Sequence, residues 1–177
     1  DLTRAALEVA AESNQILWNH GGASDDLLER GPDHLISVLA PCSTYFWDLP
    51  RLMGNHGLSS LTLISSSRGT FAPQVARGLT RAAESRDFTL RHLTYDPSRH
   101  DPLERLDRSR DIGAEGLAVV SSYREEIELI RSLNNRPFTP RLIASVAAGI
   151  DPFGDQLGAM AEGIVGTCQW HPGSNLK

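Results

Sequence analysis

The chain has 177 residues, with 17 basic against 22 acidic side chains, a formal net charge of −5 and 40% hydrophobic residues. This length supports one domain or two small lobes and buries roughly 70% of the unfolded surface, so a core forms without staples. The mild acidity argues against nucleic acid or an anionic membrane as a partner, the composition argues against wholesale disorder, and no apolar run approaches the ~20 residues of a membrane span.

In chain order, residues 2–13 read as a helix that begins without Met or leader, and residues 172–177 end in a loop; this has the look of a piece of a longer chain. A strand follows at 15–19 (QILWN), then a loop and short helix over 20–30, and a strand at 35–40. Residues 43–56 read as a helix interrupted at Pro50. Pro41 to Gly57 is the best lobe boundary, because a helix breaker and two glycines punctuate it.

From residue 60 the rhythm changes. Strand-like runs at 60–65, 88–95, 116–121, 141–146 and 164–170 start 28, 28, 25 and 23 residues apart. That is the spacing of βα units, in which each parallel strand needs a crossover of a dozen or more residues. LAVV and LIASV are nearly continuous in apolar residues, which fits strands covered on both faces. The expected fold class is therefore α/β, a doubly wound parallel sheet with helices on both faces. Asp101 and Asp151 each precede a proline at a helix start, and Glu104 completes a capping-box pattern after Asp101. In 123–133, Ile127, Ile130 and Leu133 form the apolar stripe, and Glu125, Glu126, Glu128 and Arg131 read as a solvated face.

Catalytic motifs are sparse. His20-Gly21-Gly22 resembles an oxyanion turn, but no G-x-S-x-G elbow accompanies it. Phosphate loops are absent, and Gly163 to Gly166 reads as packing inside a strand. The six histidines are dispersed. Asp96, His100 and Asp101 read as a solvated loop with a helix cap rather than a cation site. Cys42 and Cys168 lack CxxC spacing; two buried thiols is the simpler reading and one long-range disulfide the alternative. What remains is the set of strand ends, where an open parallel sheet binds ligands. Here these are small or hydroxyl-bearing: His20 to Asp25, Ser65 to Phe71, Ser121 to Tyr123, and Ala147 to Gly149. Such a surface holds a small molecule through backbone N–H groups, with no catalytic group, cofactor or metal ligand installed.

Several landmarks then resemble, in order, the type I periplasmic binding proteins of the branched-chain amino-acid (Leu/Ile/Val) ABC importer family. Residues 15–24 are similar to that family's strand and ligand loop, 39–43 to a crossing segment, 65–71 and 113–120 to later loop and strand signatures, and 161–167 with Trp170 and Pro172 to its closing signature. The resemblance implies two α/β lobes clasping a ligand: 1–41 would end an incomplete first lobe, 42–58 would be the crossing segment and helix, 59–171 the second lobe, and 172–177 a tail. It implies ligand contacts at Gly22, Ala23 and Ser24 to a carboxylate, at Phe71 and Tyr123 through their rings, and at neighbouring Ser122 and Ala147. The family often carries an acid near Val146, Ala147 and Ala148 to pair a ligand ammonium; none stands here, which favours a carboxylate, amide or aromatic acid over an α-amino acid. The implied function is a non-enzymatic extracytoplasmic solute receptor, periplasmic, extracellular or lipid-anchored. Its partners would be a small-molecule ligand and ABC permease subunits. The alternatives are a sensing domain of the same fold and, more distantly, an α/β hydrolase using His20 and Ser66.

Overall fold

A computed structural model describes residues 2–29 and 33–169. Trp170, His171, Pro172 and the expected tail lie outside the described residues.

The described chain opens with α1 (Leu2–Glu12), β1 (Leu17–Asn19), α2 (Asp25–Glu29) and β2 (Leu35–Ser37). β1 and β2 form a parallel two-stranded sheet in which Trp18 pairs with Ile36. All four expected elements in this stretch are shorter than the sequence implies. Asn19 is the reason at the end of β1: its side chain accepts the N–H groups of Gly21 and Gly22 at 3.2 and 2.8 Å and donates to the Gly22 carbonyl, so the chain turns there. A Cβ on Gly22 would come within 2.9 Å of Thr3 Cβ, so the turn needs glycine.

A single 3-10 turn at Cys42–Thr44 leads to α3 (Leu49–Asn55). The expected interruption at Pro50 is corrected: the proline sits in the first turn of α3, where its missing N–H costs nothing, and the break precedes it.

The larger sheet comprises β3 (Ser60–Ser66), β4 (Thr89–Tyr95), β5 (Gly116–Val120) and β6 (Leu142–Ser145), all parallel, in the order β4-β3-β5-β6. Between them run α4 (Phe71–Glu84), α5 (Pro102–Ile112) and α6 (Tyr123–Leu133), with α7 (Pro152–Leu157) after β6. β3 and β5 are buried almost throughout, which explains their continuous apolar sequence. Alternation divides the core in two. Leu61, Leu63, Ala118 and Val120 pack beneath α3 and α4, whereas Ile64, Leu117 and Val119 pack against Leu106 of α5, Ile127 and Ile130 of α6, and Phe153 of α7.

The fifth expected strand, 164–170, is reduced to one bridge, Ala144 with Val165. Val165 donates to the Ile143 carbonyl and accepts from Ser145 N–H, so the segment reaches its place beside β6. It leaves at once because Gly166 passes the Ala148–Gly149 backbone too closely for any side chain. Asp101 caps α5 as expected, accepting Leu103 N–H at 2.9 Å, but Asp151 makes no side-chain cap to α7. The disulfide alternative is overturned: both cysteines are free, Cys42 buried and Cys168 exposed.

Candidate functional site

The strand order reverses between β3 and β5: the chain leaves β3 for β4 on one side and returns to β5 on the other. Ligands of open parallel sheets bind beyond the carboxyl ends of the strands at such a reversal. The loops there are residues 67–70, exposed, and Ser121-Ser122.

α4 starts from the first of these loops, and Thr70 gives it no side-chain cap. Pro73 has no N–H and Gln74 N–H bonds to the Thr70 carbonyl, so among the described residues the Phe71 and Ala72 N–H groups are the ones left without an acceptor, at the positive end of a 14-residue helix. The Asn19 turn is docked beside it through Gln74, a buried side chain in the first turns of α4. Gln74 Oε1 accepts Asp25 N–H at 3.0 Å and the Cys42 thiol at 2.9 Å, and its amide donates to Ser24 Oγ at 3.3 Å. Asp25 Oδ1 accepts Ser43 N–H at 3.1 Å, and the Ala23 carbonyl accepts Cys42 N–H at 2.8 Å. One glutamine thus fixes the 23–25 loop, the 42–43 turn and α4 together. Burial, reinforced by Asp25, pushes the Cys42 thiol up to about 12, so it stays protonated and unreactive.

Among the described residues, the backbone N–H groups of Ala23 and Ser24 have no acceptor, although Ser24 is buried. Asn19 has already bound the two preceding N–H groups, and Gln74 holds the Ser24 hydroxyl. Phe71 stands at the α4 start with its ring edge-on to Tyr45, centroids 5.7 Å apart. Truncating the glutamine, Gln74→Ala, is expected to cost about 2 kcal/mol in urea denaturation, because the Asp25 N–H, the Ser24 hydroxyl and the Cys42 thiol lose their partner together.

The other expected contacts lie at the same edge of the sheet but on its opposite face. Ser122 is engaged by a full capping box: Glu125 N–H donates to its hydroxyl, and the Ser122 backbone N–H donates to Glu125 Oε2 at 3.0 Å. Tyr123 is half-buried against the α5–α7 side of the core, and its hydroxyl has no partner among the described residues. Ala147 is buried, and its N–H goes to Glu126 Oε2 at 2.9 Å. So Gly22, Ala23, Ser24 and Phe71 form one group and Ser122, Tyr123 and Ala147 another.

Glu126 corrects the sequence reading. It is not on a solvated face but 1% exposed. It accepts Ser121 N–H at 2.8 Å, Ser145 Oγ–H at 2.5 Å and Ala147 N–H at 2.9 Å, and so ties the end of β5 to the end of β6. Burial pushes its carboxyl up to about 7 despite these donors. The signal was present: Glu126 stands four residues before Ile130 and next to Ile127, on the buried stripe.

A cavity of about 700 Å³ opens past β6 between Ala148, Ile150, Phe153, Ile164 and Gly166, and includes none of the seven expected residues. No group of three or more metal-ligating side chains occurs among the described residues. Asp96 binds Ser98 within its own turn and pairs with Arg99 at 3.6 Å. His20 is exposed, while Ser66 is buried in β3 with its hydroxyl accepting Arg68 N–H, so nothing joins the two as a catalytic pair. A serine–histidine contact does occur elsewhere, Ser65 Oγ to His92 Nε2 at 2.7 Å, with no carboxylate behind the imidazole among the described residues.

These features define a class: the chain has the doubly wound α/β fold of the type I periplasmic binding proteins. In particular, it is similar to a leucine-binding protein from Thermotoga maritima, with a TM-score of 0.82 at 13% identity over 96% of this chain and 49% of that one. A leucine-, isoleucine-, valine-, threonine- and alanine-binding protein from Brucella ovis in its closed conformation follows, with a TM-score of 0.77 at 11% identity over 92% and 42%. An extracellular ligand-binding receptor from Rhodopseudomonas palustris gives 0.74 at 16% over 88% and 44%. The chain spans about half the length of these structures. No family model matches it. No helix of the described residues is long and apolar enough to cross a membrane.

Proposed function

We propose that the chain is the ligand-gripping part of a solute-binding protein for ABC import, acting outside the cytoplasm and holding a small carboxylate-bearing molecule without reacting with it. The observation that carries this reading is the pair of unpartnered N–H groups at Ala23 and Ser24 beside the uncapped start of α4. Convergent N–H donors and a helix dipole suit a carboxylate. Phe71 would wall the apolar part of the ligand, and Tyr123 and Ser122 would close on it from the other group. On this reading residues 1–41 belong to one lobe, 42–58 to the crossing and 59–171 to the other, and ligand binding favours a closed arrangement that permease subunits recognise.

The ligand class follows from what the buried acids are doing. Glu126 is taken up by three donors and Asp25 Oδ1 by Ser43 N–H and the Cys42 thiol, so both acids serve the fold at these positions. A buried ammonium without a counter-charge is expensive. Aromatic and branched aliphatic acids are therefore expected to bind more tightly than the matching α-amino acids. Calorimetric titration with benzoate, isovalerate, 4-methylpentanoate and leucine tests this. Saturable heat with at least one acid, weakened about tenfold by Phe71→Ala, is the expected result. Silence from all four overturns the proposal, and tightest binding of leucine overturns the ligand class.

A further inference from the structure

The groove between α4 and the edge strand β4 has no part in this reading. It encloses about 430 Å³ and is lined on the strand side by Ser65, His92 and Thr94 and on the helix side by Arg77 and Arg81. Arg77 and Arg81 stand one helical turn apart, and both are exposed. Neither guanidinium has an ion pair or hydrogen bond among the described residues. Seven other arginines of the described residues do pair with an acid, among them Arg51 with Asp48 and Arg124 with Glu128. Glu84 is the one carboxylate on the lining, so cationic charge is in excess.

The floor of the groove is polar where the rest of that sheet face is not. In register, Leu61 with Leu90 continues the core, but Leu63 meets His92 and Ser65 meets Thr94. His92 Nε2 bridges Ser65 Oγ at 2.7 Å and Thr94 Oγ1 at 3.2 Å. Ser65 is buried in β3 while His92 and Thr94 are exposed, so the cluster is anchored in the sheet and open to the groove. Desolvation holds the imidazole below its usual range, and a neutral ring adds hydrogen-bonding capacity without adding charge.

We propose that this groove is a second binding site, for a small multiply charged oxyanion of the phosphate type, gripped by Arg77 and Arg81 against the Ser65–His92–Thr94 floor. Two guanidiniums a turn apart match the forked, bidentate geometry that phosphate oxygens accept. The groove volume admits a pyrophosphate-sized group. The site shares no residue with the carboxylate site proposed above, so each stands or falls alone.

Pyrophosphate is the probe. Titrated into the 177-residue chain and followed by the His92 ring resonances and by calorimetry, it is expected to shift those resonances saturably. Arg77→Ala/Arg81→Ala is expected to weaken binding roughly tenfold or more while circular dichroism stays unchanged, since both positions are exposed and alanine favours helix. Arg108→Ala/Arg124→Ala, which removes the same charge from α5 and α6, is expected to leave binding unchanged. An unmoved His92 resonance, or equal weakening by both double variants, overturns the site and reduces the effect to bulk charge.

Discussion

Replacing Glu126 with alanine is expected to destabilise the protein by about 4 kcal/mol, because three donors at the ends of β5 and β6 are then buried without an acceptor. Those donors are Ser121 N–H, Ser145 Oγ–H and Ala147 N–H. Glutamine should cost less, about 2 kcal/mol: its carbonyl still accepts, but its amide turns a donor toward a donor. Urea denaturation of the three proteins gives this order directly. The same carboxyl sets a pH dependence. Its folded value, raised by burial to about 7, stands above an ordinary 4.5. The stability from holding this proton is therefore fully present below about pH 4.5 and is lost as pH rises to about 7, a decline of roughly 3 kcal/mol. Glu126→Gln should abolish that slope while leaving contributions from other groups. A parallel slope in wild type and glutamine variant would show that Glu126 is not the titrating group.

A second large effect is expected at Gly78→Ala. Gly78 lies mid-helix in α4, where glycine alone is unfavourable by about 1 kcal/mol. Alanine would nonetheless destabilise, because its Cβ would overlap Ser43 O and lie 2.6 Å from Ser43 C, both backbone atoms that cannot rotate away. The expected loss is about 3 kcal/mol, with α4 displaced from the 42–44 turn. Because Gln74 is one turn earlier on the same helix, the displacement should also open its bonds to Ser24, Asp25 and Cys42. Hydrogen exchange at Asp25 and Ser43 should accelerate in this variant. Stabilisation by the added helix propensity would mean the turn is free to yield.

How much of this was readable from residues alone depends on what each residue reports. The βα rhythm after residue 60 was legible because β3 and β5 are covered on both faces, and two-sided burial leaves an uninterrupted apolar run such as LAVV. The segment near 164 looked equally strand-like, yet its pairing depends on Gly166 crossing the Ala148–Gly149 backbone, a long-range contact with no local signature. Pro50 was misread because a proline breaks a helix from inside but starts one from its first turn, and only the position of the turn decides. The two buried polar anchors, Gln74 and Glu126, were hidden by their chemistry. Each sits on its helix's apolar stripe, where polarity argues for solvent and position argues for the core. The loops at the strand ends were legible as small and hydroxyl-rich. That Ser122 satisfies its own helix while Ala23 and Ser24 leave their N–H groups open was not, since it depends on Asn19 and Gln74.

The most direct measurement is residue-resolved: amide resonances followed while the tightest-binding acid of the panel is titrated into the chain. Saturable shifts concentrated at Ala23, Ser24 and Phe71, joined by Ser122 and Tyr123, with the acid recovered unchanged, are the result this account requires. Shifts confined to the cavity past β6, or chemical conversion of the acid, would contradict it.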